Sequence, residues 1–133
     1  MLEVVEEIRS IYVSKVGYLP YVGIYVPKDI EVAKTGYYID ATNLFPNRKF
    51  LIFSEDIEFT KTYFEGDKFA FDDSENNLER LTRLASCDGI ITGGDFFSWF
   101  AAFLSPTFGT KIYPKLFLHD KIKAITPKDW IQS

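Results

Sequence analysis

Short runs of β-branched and aromatic residues recur along this chain, each followed by a stretch of helical spacing, and that alternation restricts the fold more than any other feature. Residues 21–26 (Tyr-Val-Gly-Ile-Tyr-Val) form the first apolar run, stopped by Pro27. Residues 49–54, a weaker run at 68–71, residues 89–92 and residues 111–113 follow it. Between them, residues 55–65 place Ile57, Thr60, Lys61 and Phe64 at helical spacing, residues 76–86 repeat leucine at 78, 81 and 84, and residues 96–104 are apolar almost all round. An opening helix over residues 2–14 carries Leu2, Val5, Ile8, Ile11 and Tyr12 on one face and Glu3, Glu6, Glu7 and Arg9 on the other. Strands alternating with helices of about ten residues imply βαβ units and a parallel sheet covered on both faces. The expectation is an α/β, Rossmann-like doubly wound parallel sheet of about five strands, a single domain over residues 1–133. Ile24, Val26, Leu51, Phe53, Ile90 and Ile112 are expected to be buried, because no polar alternation relieves those strand positions.

A chain of 133 residues, 47% hydrophobic and 26% charged, can bury one core and is too short for two domains of ordinary size. Its 15 basic and 19 acidic residues leave a net charge of -4. That balance removes the long-range attraction nucleic acid requires, so no nucleic acid partner is expected. Cys87, the single cysteine, has no internal disulfide partner, and the single histidine, His119, leaves no zinc-ligand spacing. No metal and no cofactor is expected. The acidic start behind Met1 is unlike a signal peptide, and the longest apolar stretch, residues 90–104, contains Gly93, Gly94 and Asp95 and is too short to span a bilayer. A cytoplasmic chain without a membrane span is the expectation. The 17% aromatic fraction is more than a small core readily takes up, which points to a homo-oligomer or a protein partner.

Ligands of doubly wound folds bind at the carboxyl ends of the strands, so the informative loops follow Val26, Ser54, Phe71 and Thr92. Asp29, Glu55, Asp56, Asp72 and the Gly93-Gly94-Asp95 turn lie in them. Gly93-Gly94 before a helix offers free N–H groups that can cradle phosphate, but Asp95 is equally an ordinary N-cap and neither the G-x-G-x-x-G nor the P-loop spacing is present. Ser98, one turn into that helix, can reach a phosphate or bond back to the preceding turn. The aromatics around it, Phe96, Phe97, Trp99, Phe100 and Phe103, mark a core helix. The acidic run Asp72-Asp73-Ser74-Glu75 reads as a solvated turn and helix start, while Cys87 and His119 default to a core thiol and a surface imidazole.

Taken together, residues 53–59 (Phe-Ser-Glu-Asp-Ile-Glu-Phe), 81–87, 97–102 (Phe-Ser-Trp-Phe-Ala-Ala), 111–115 (Lys-Ile-Tyr-Pro-Lys) and Asp129-Trp130 resemble the alpha-1,2-fucosyltransferase family in order and spacing. The resemblance runs from about residue 20 to residue 131 and corresponds to the family's carboxyl-terminal half. It implies a Rossmann-like domain that holds GDP-fucose as donor substrate, with Lys28, Asp29, Ser54, Asp56, Gly93, Gly94 and Ser98 at the nucleotide-sugar site and no residue assigned a catalytic role.

The chain also departs from the family where the donor is expected to touch. Gly23 to Asp29 stand in place of the family's strand and His-x-Arg-Arg-Gly-Asp motif, so Tyr25 replaces the histidine and Pro27-Lys28 the arginine pair. Lys28 keeps one positive charge without the bidentate fork that matches phosphate. Arg80, beside Glu79, stands where the family has an aspartate expected to contact guanine. Asp95 brings a carboxylate to the helix end, and two like charges about 4 Å apart repel by about 4 kcal/mol at an effective dielectric of about 20. The resemblance therefore implies a divergent, shortened donor domain that binds GDP or a GDP-sugar weakly and does not catalyse transfer alone. The alternatives are a structural or protein-interaction module that has lost its nucleotide, and an unrelated small α/β enzyme using the acidic loops.

Overall fold

A strand whose successive residues are all apolar must be covered on both faces, and β2 (Phe50–Phe53), buried at every position, is the extreme case. The computed structural model describes residues 2–9, 17–28, 36–106, 109–115 and 120–133. Around β2 it assembles β1 (Leu19–Tyr25), β3 (Phe69–Phe71), β4 (Cys87–Ile91), β5 (Lys111–Tyr113) and β6 (Ile131–Gln132) into one sheet of order β3-β2-β1-β4-β5-β6. Every pairing is parallel. The order reverses between β1 and β4, which makes their carboxyl ends the topological switch point.

Alternation along the strands divides the interior into two layers. Val22, Ile24 and Val26 of β1 and its exit join Phe50 and Ile52 of β2, Ile91 and Ile112 on one face, where α2 (Tyr37–Asn43) adds Tyr37, Tyr38 and Ala41. Tyr25, Leu51, Phe53 and Ile90 face the other way, against Leu84 and Ala85 of α4 (Asn77–Ala85) and Ala101, Ala102 and Leu104 of α5 (Phe96–Leu104). The six residues expected to be buried are between 0% and 6% exposed. Of the leucines repeated along α4, Leu84 is fully buried, Leu81 is half-buried and Leu78 lies on the surface.

The sheet has six strands where about five are expected from sequence, because β6 is only two residues long and both are exposed. β1 begins two residues earlier than its apolar run and includes Pro20. Its register against β4 shifts between Leu19 and Val22, and such an irregularity is where a strand tolerates proline. The helix expected over residues 55–65 shortens to the single turn α3 (Ile57–Thr60). There Thr60 and Thr62 hydroxyls donate to the carbonyls of Ile57 (2.6 Å) and Phe59 (2.7 Å), the local bonding by which threonine competes with helix propagation. The opening helix is present as α1 (Leu2–Ile8), and residues 10–14 of its expected range lie outside the described residues. The short helix α6 (Asp120–Ala124), not expected from the sequence, lies between β5 and β6.

Two arginine contacts fix helices to the framework. Arg9, just past α1, donates to the carbonyls of Leu104 (2.7 Å) and Phe103 (3.3 Å) at the end of α5, where a cation complements the helix dipole. Arg83 of α4 reaches Asp72, immediately after β3, at 2.8 Å, with the Asp72 side chain 2% exposed. Among the described residues no helix is long and apolar enough to cross a membrane.

Candidate functional site

The carboxyl ends of β1 and β2 are stitched together by the residues that follow them. Ser54 donates its hydroxyl to the Val26 carbonyl at 2.7 Å and accepts from the Asp56 backbone at 3.2 Å. Asp56 in turn caps α3, accepting from Phe59 N at 3.2 Å. Lys28 approaches Glu55 at 3.5 Å, both largely in solvent. The loops after β1 and β2 thus share one hydrogen-bond network, with the Lys28 ammonium at its outer rim.

After β4 the chain turns through Gly93 and Gly94. Gly94 has φ 82, the left-handed region open to glycine at no steric cost. Gly93 is required for a different reason: a Cβ there would lie 2.5 Å from Pro27 Cδ and 2.9 Å from the Tyr25 carbonyl. This close approach brings the β4 loop against the β1 exit at the switch point. Gly93 N–H donates to the Ser98 hydroxyl at 2.9 Å, and Ser98 N–H donates to Asp95 at 3.1 Å, so Asp95 is the N-cap of α5. The Ser98 hydroxyl also donates to the Asp95 carboxylate, and Ser98 is fully buried. Of the two roles open to Ser98 in the sequence, the hydrogen bonds place it in the local turn. Burial pushes the Asp95 carboxyl above its usual range, while the hydrogen bonds from Ser98 pull it back.

The opposite wall comes from α2, an element that sequence reasoning missed. Tyr37 donates to the carbonyls of Thr92 (2.7 Å) and Ile112 (3.2 Å), and Tyr38 to that of Tyr25 (2.8 Å). The Thr92 and Tyr25 carbonyls lie at the carboxyl ends of β4 and β1, while that of Ile112, inside β5, also accepts from the Thr92 N–H (2.9 Å) and hydroxyl (3.1 Å), so the two tyrosines tie α2 to the ends of the central strands. Both phenols are buried, which raises their pKa well above the ordinary value. The paired tyrosines and their exposed neighbour Ile39 are the signal available in sequence.

A cavity of about 240 Å³ remains at the ends of β2 and β3, lined by Ser54, Glu55, Ile57, Asp72 to Ser74 and Arg80. Carboxylates and a guanidinium converge there, giving hydrogen-bond acceptors and donors to a polar ring-sized ligand. Tyr25 sits beside this edge, its phenol pKa raised by burial first and then by Asp95 and Glu55, with Arg80 opposing. Lys28, Ser54, Asp56, Gly93, Gly94 and Ser98 therefore all come to the carboxyl edge of the sheet, while Asp29 and His119 lie outside the described residues. Within the acidic run, Asp72 is buried and ion-paired whereas Asp73 is exposed, a correction to the reading of the whole run as solvated. Cys87 is a fully buried core thiol whose pKa burial raises. Among the described residues no group of three or more His, Cys, Asp or Glu is placed to hold a metal ion.

No curated protein and no solved structure matches the chain. The sequence pattern of Glycosyl transferase family 11, the alpha-1,2-fucosyltransferase family, matches residues 20–133, and the chain belongs to that family.

Proposed function

We propose that the chain is a single, divergent donor-side domain of this family, binding GDP or GDP-fucose weakly at the carboxyl edge of its sheet and not transferring fucose alone. The reading is supported by the family match over residues 20–133 laid on a parallel sheet whose carboxyl edge carries the loops of Lys28, Ser54, Asp56, Gly93, Gly94 and Ser98. The 240 Å³ cavity beside them supports a base or sugar ring there. Asp29 completes the proposed set from sequence. Weak affinity follows from chemistry: Lys28 offers a point charge already shared with Glu55, and Arg80 cannot accept hydrogen bonds from a base. Each lost charged hydrogen bond is worth about 1–3 kcal/mol, so two of them shift affinity about a hundredfold or more.

Titration with GDP is expected to give a dissociation constant no better than high micromolar, and incubation of the chain with GDP-fucose and acceptor glycans no transfer. Lys28→Arg is expected to tighten GDP by about fivefold, a bidentate fork replacing a point charge. Low-micromolar binding by the unaltered chain, or turnover, overturns the reading. A second reading, a protein-interaction module acting in the cytoplasm, is favoured by a separate observation. Ile39 (70% exposed) and Tyr63 (47%) line a 510 Å³ groove between α2 and the loop before β3, with Leu44 (51%) exposed just beyond the end of α2. Complete absence of GDP binding selects that second reading.

A further inference from the structure

In doubly wound sheets the helix that follows the strand at the switch point receives a ligand's phosphate on its unpaired N–H groups. In this chain the Gly93 and Ser98 N–H groups at that position already have a partner. Gly93 N–H is bound to Ser98 Oγ, and the Ser98 N–H and hydroxyl are bound to the Asp95 carboxylate. A carboxylate that accepts an amide and a hydroxyl hydrogen at a helix start presents the acceptor pattern of a phosphate edge. Pro27 packs against Gly93, and the Tyr37 and Tyr38 hydroxyls bind the Thr92 and Tyr25 carbonyls at the ends of the two strands that lead into this turn and the β1 exit.

We propose that Asp95 is the internal occupant of the α5 anion position, so that the site recognises its ligand by the nucleoside end and the phosphates gain no contact at α5. The proposal rests on the donor-domain reading. The nucleoside end has a place to go, the cavity at the ends of β2 and β3, where Glu55 and Asp73 offer acceptors to base N–H and ribose hydroxyl groups and Arg80 a donor to a base carbonyl. A nucleotide with one or two phosphates thus brings to α5 only charge that Asp95 repels.

Amide chemical-shift titrations with guanosine, GMP and GDP at one pH and ionic strength test this. For the unaltered chain the three affinities are expected to agree within about threefold, since the added phosphates meet the Asp95 carboxylate at α5 and gain beside it only the Lys28 point charge, already shared with Glu55. Asp95→Ser keeps an N-cap hydroxyl and removes both the carboxylate and its bulk. In that variant GDP is expected to gain about tenfold or more over guanosine, with guanosine itself unchanged. Asp95→Asn, which keeps the side chain's shape without its charge, is expected to show a smaller gain and controls for folding. The inference is overturned if the unaltered chain already prefers GDP over guanosine by more than about tenfold, or if the ratio does not move in Asp95→Ser; the donor-domain reading survives either result. Failure of all three ligands to bind any of the proteins removes both.

Discussion

Gly93 is the residue on which the geometry of the carboxyl edge turns. It carries no side chain because Pro27, 66 positions away in sequence, and the Tyr25 carbonyl occupy the space where a Cβ would stand. Backbone and a proline ring cannot retreat as a flexible side chain can, so Gly93→Ala is expected to cost about 2 kcal/mol, the range of overpacked cores. A denaturant midpoint measured beside the unaltered chain checks it, and an unchanged midpoint would show that the β1 exit and the β4 loop are not in contact. The Gly93-Gly94 turn and the Asp95 cap are legible in the sequence because they are local chemistry, a strand end followed by an N-cap residue and a helix. What the sequence leaves open at Ser98, phosphate ligand or turn, is decided by where its hydroxyl points, and the bonds to Gly93 and Asp95 form only once the turn has its shape.

Between elements, the Arg83–Asp72 pair joins α4 to the exit of β3 across the 31% exposed guanidinium and the 2% exposed carboxylate. Removing one partner of a buried pair leaves the other charge without compensation, which costs about 3 kcal/mol, whereas replacing both is far milder. Arg83→Met is accordingly expected to lower stability by about that amount, and the double variant Arg83→Met, Asp72→Asn to recover most of it. Equal destabilisation by single and double variants would mean the pair contributes nothing beyond packing. Long apolar runs such as residues 50–53 announce their strands, since nothing but a covered sheet accommodates them. Two of the elements that sequence did not announce draw their order from tertiary contacts. α2 is held by its Tyr37 and Tyr38 hydroxyls on strand-end carbonyls, and β6, with two exposed residues, by its pairing with β5.

For the molecule as a whole, apolar strand runs without polar alternation, separated by helical segments, are enough to identify a parallel sheet, and family-specific residues in the right order to identify the family. The filling of the switch point was not legible, because it depends on Pro27, Tyr37 and Asp95 meeting from three separate segments. The exposed Ile39, Leu44 and Tyr63 around the α2 groove support the proposed association with a second copy or a protein partner. Light scattering at rising concentration is expected to report a mass above that of one chain, reduced by Ile39→Asp; one-chain mass at every concentration removes the homo-oligomer. Mapping GDP-induced amide shifts along the sequence shows whether this family fold presents its ligand edge at the carboxyl ends of the strands. Perturbations are expected to concentrate at Lys28, Ser54 to Asp56, Asp73, Ser74 and Arg80. Perturbations gathered instead along α2 and the loop before β3, or at the opposite edge around Lys111 and Trp130, would contradict that placement.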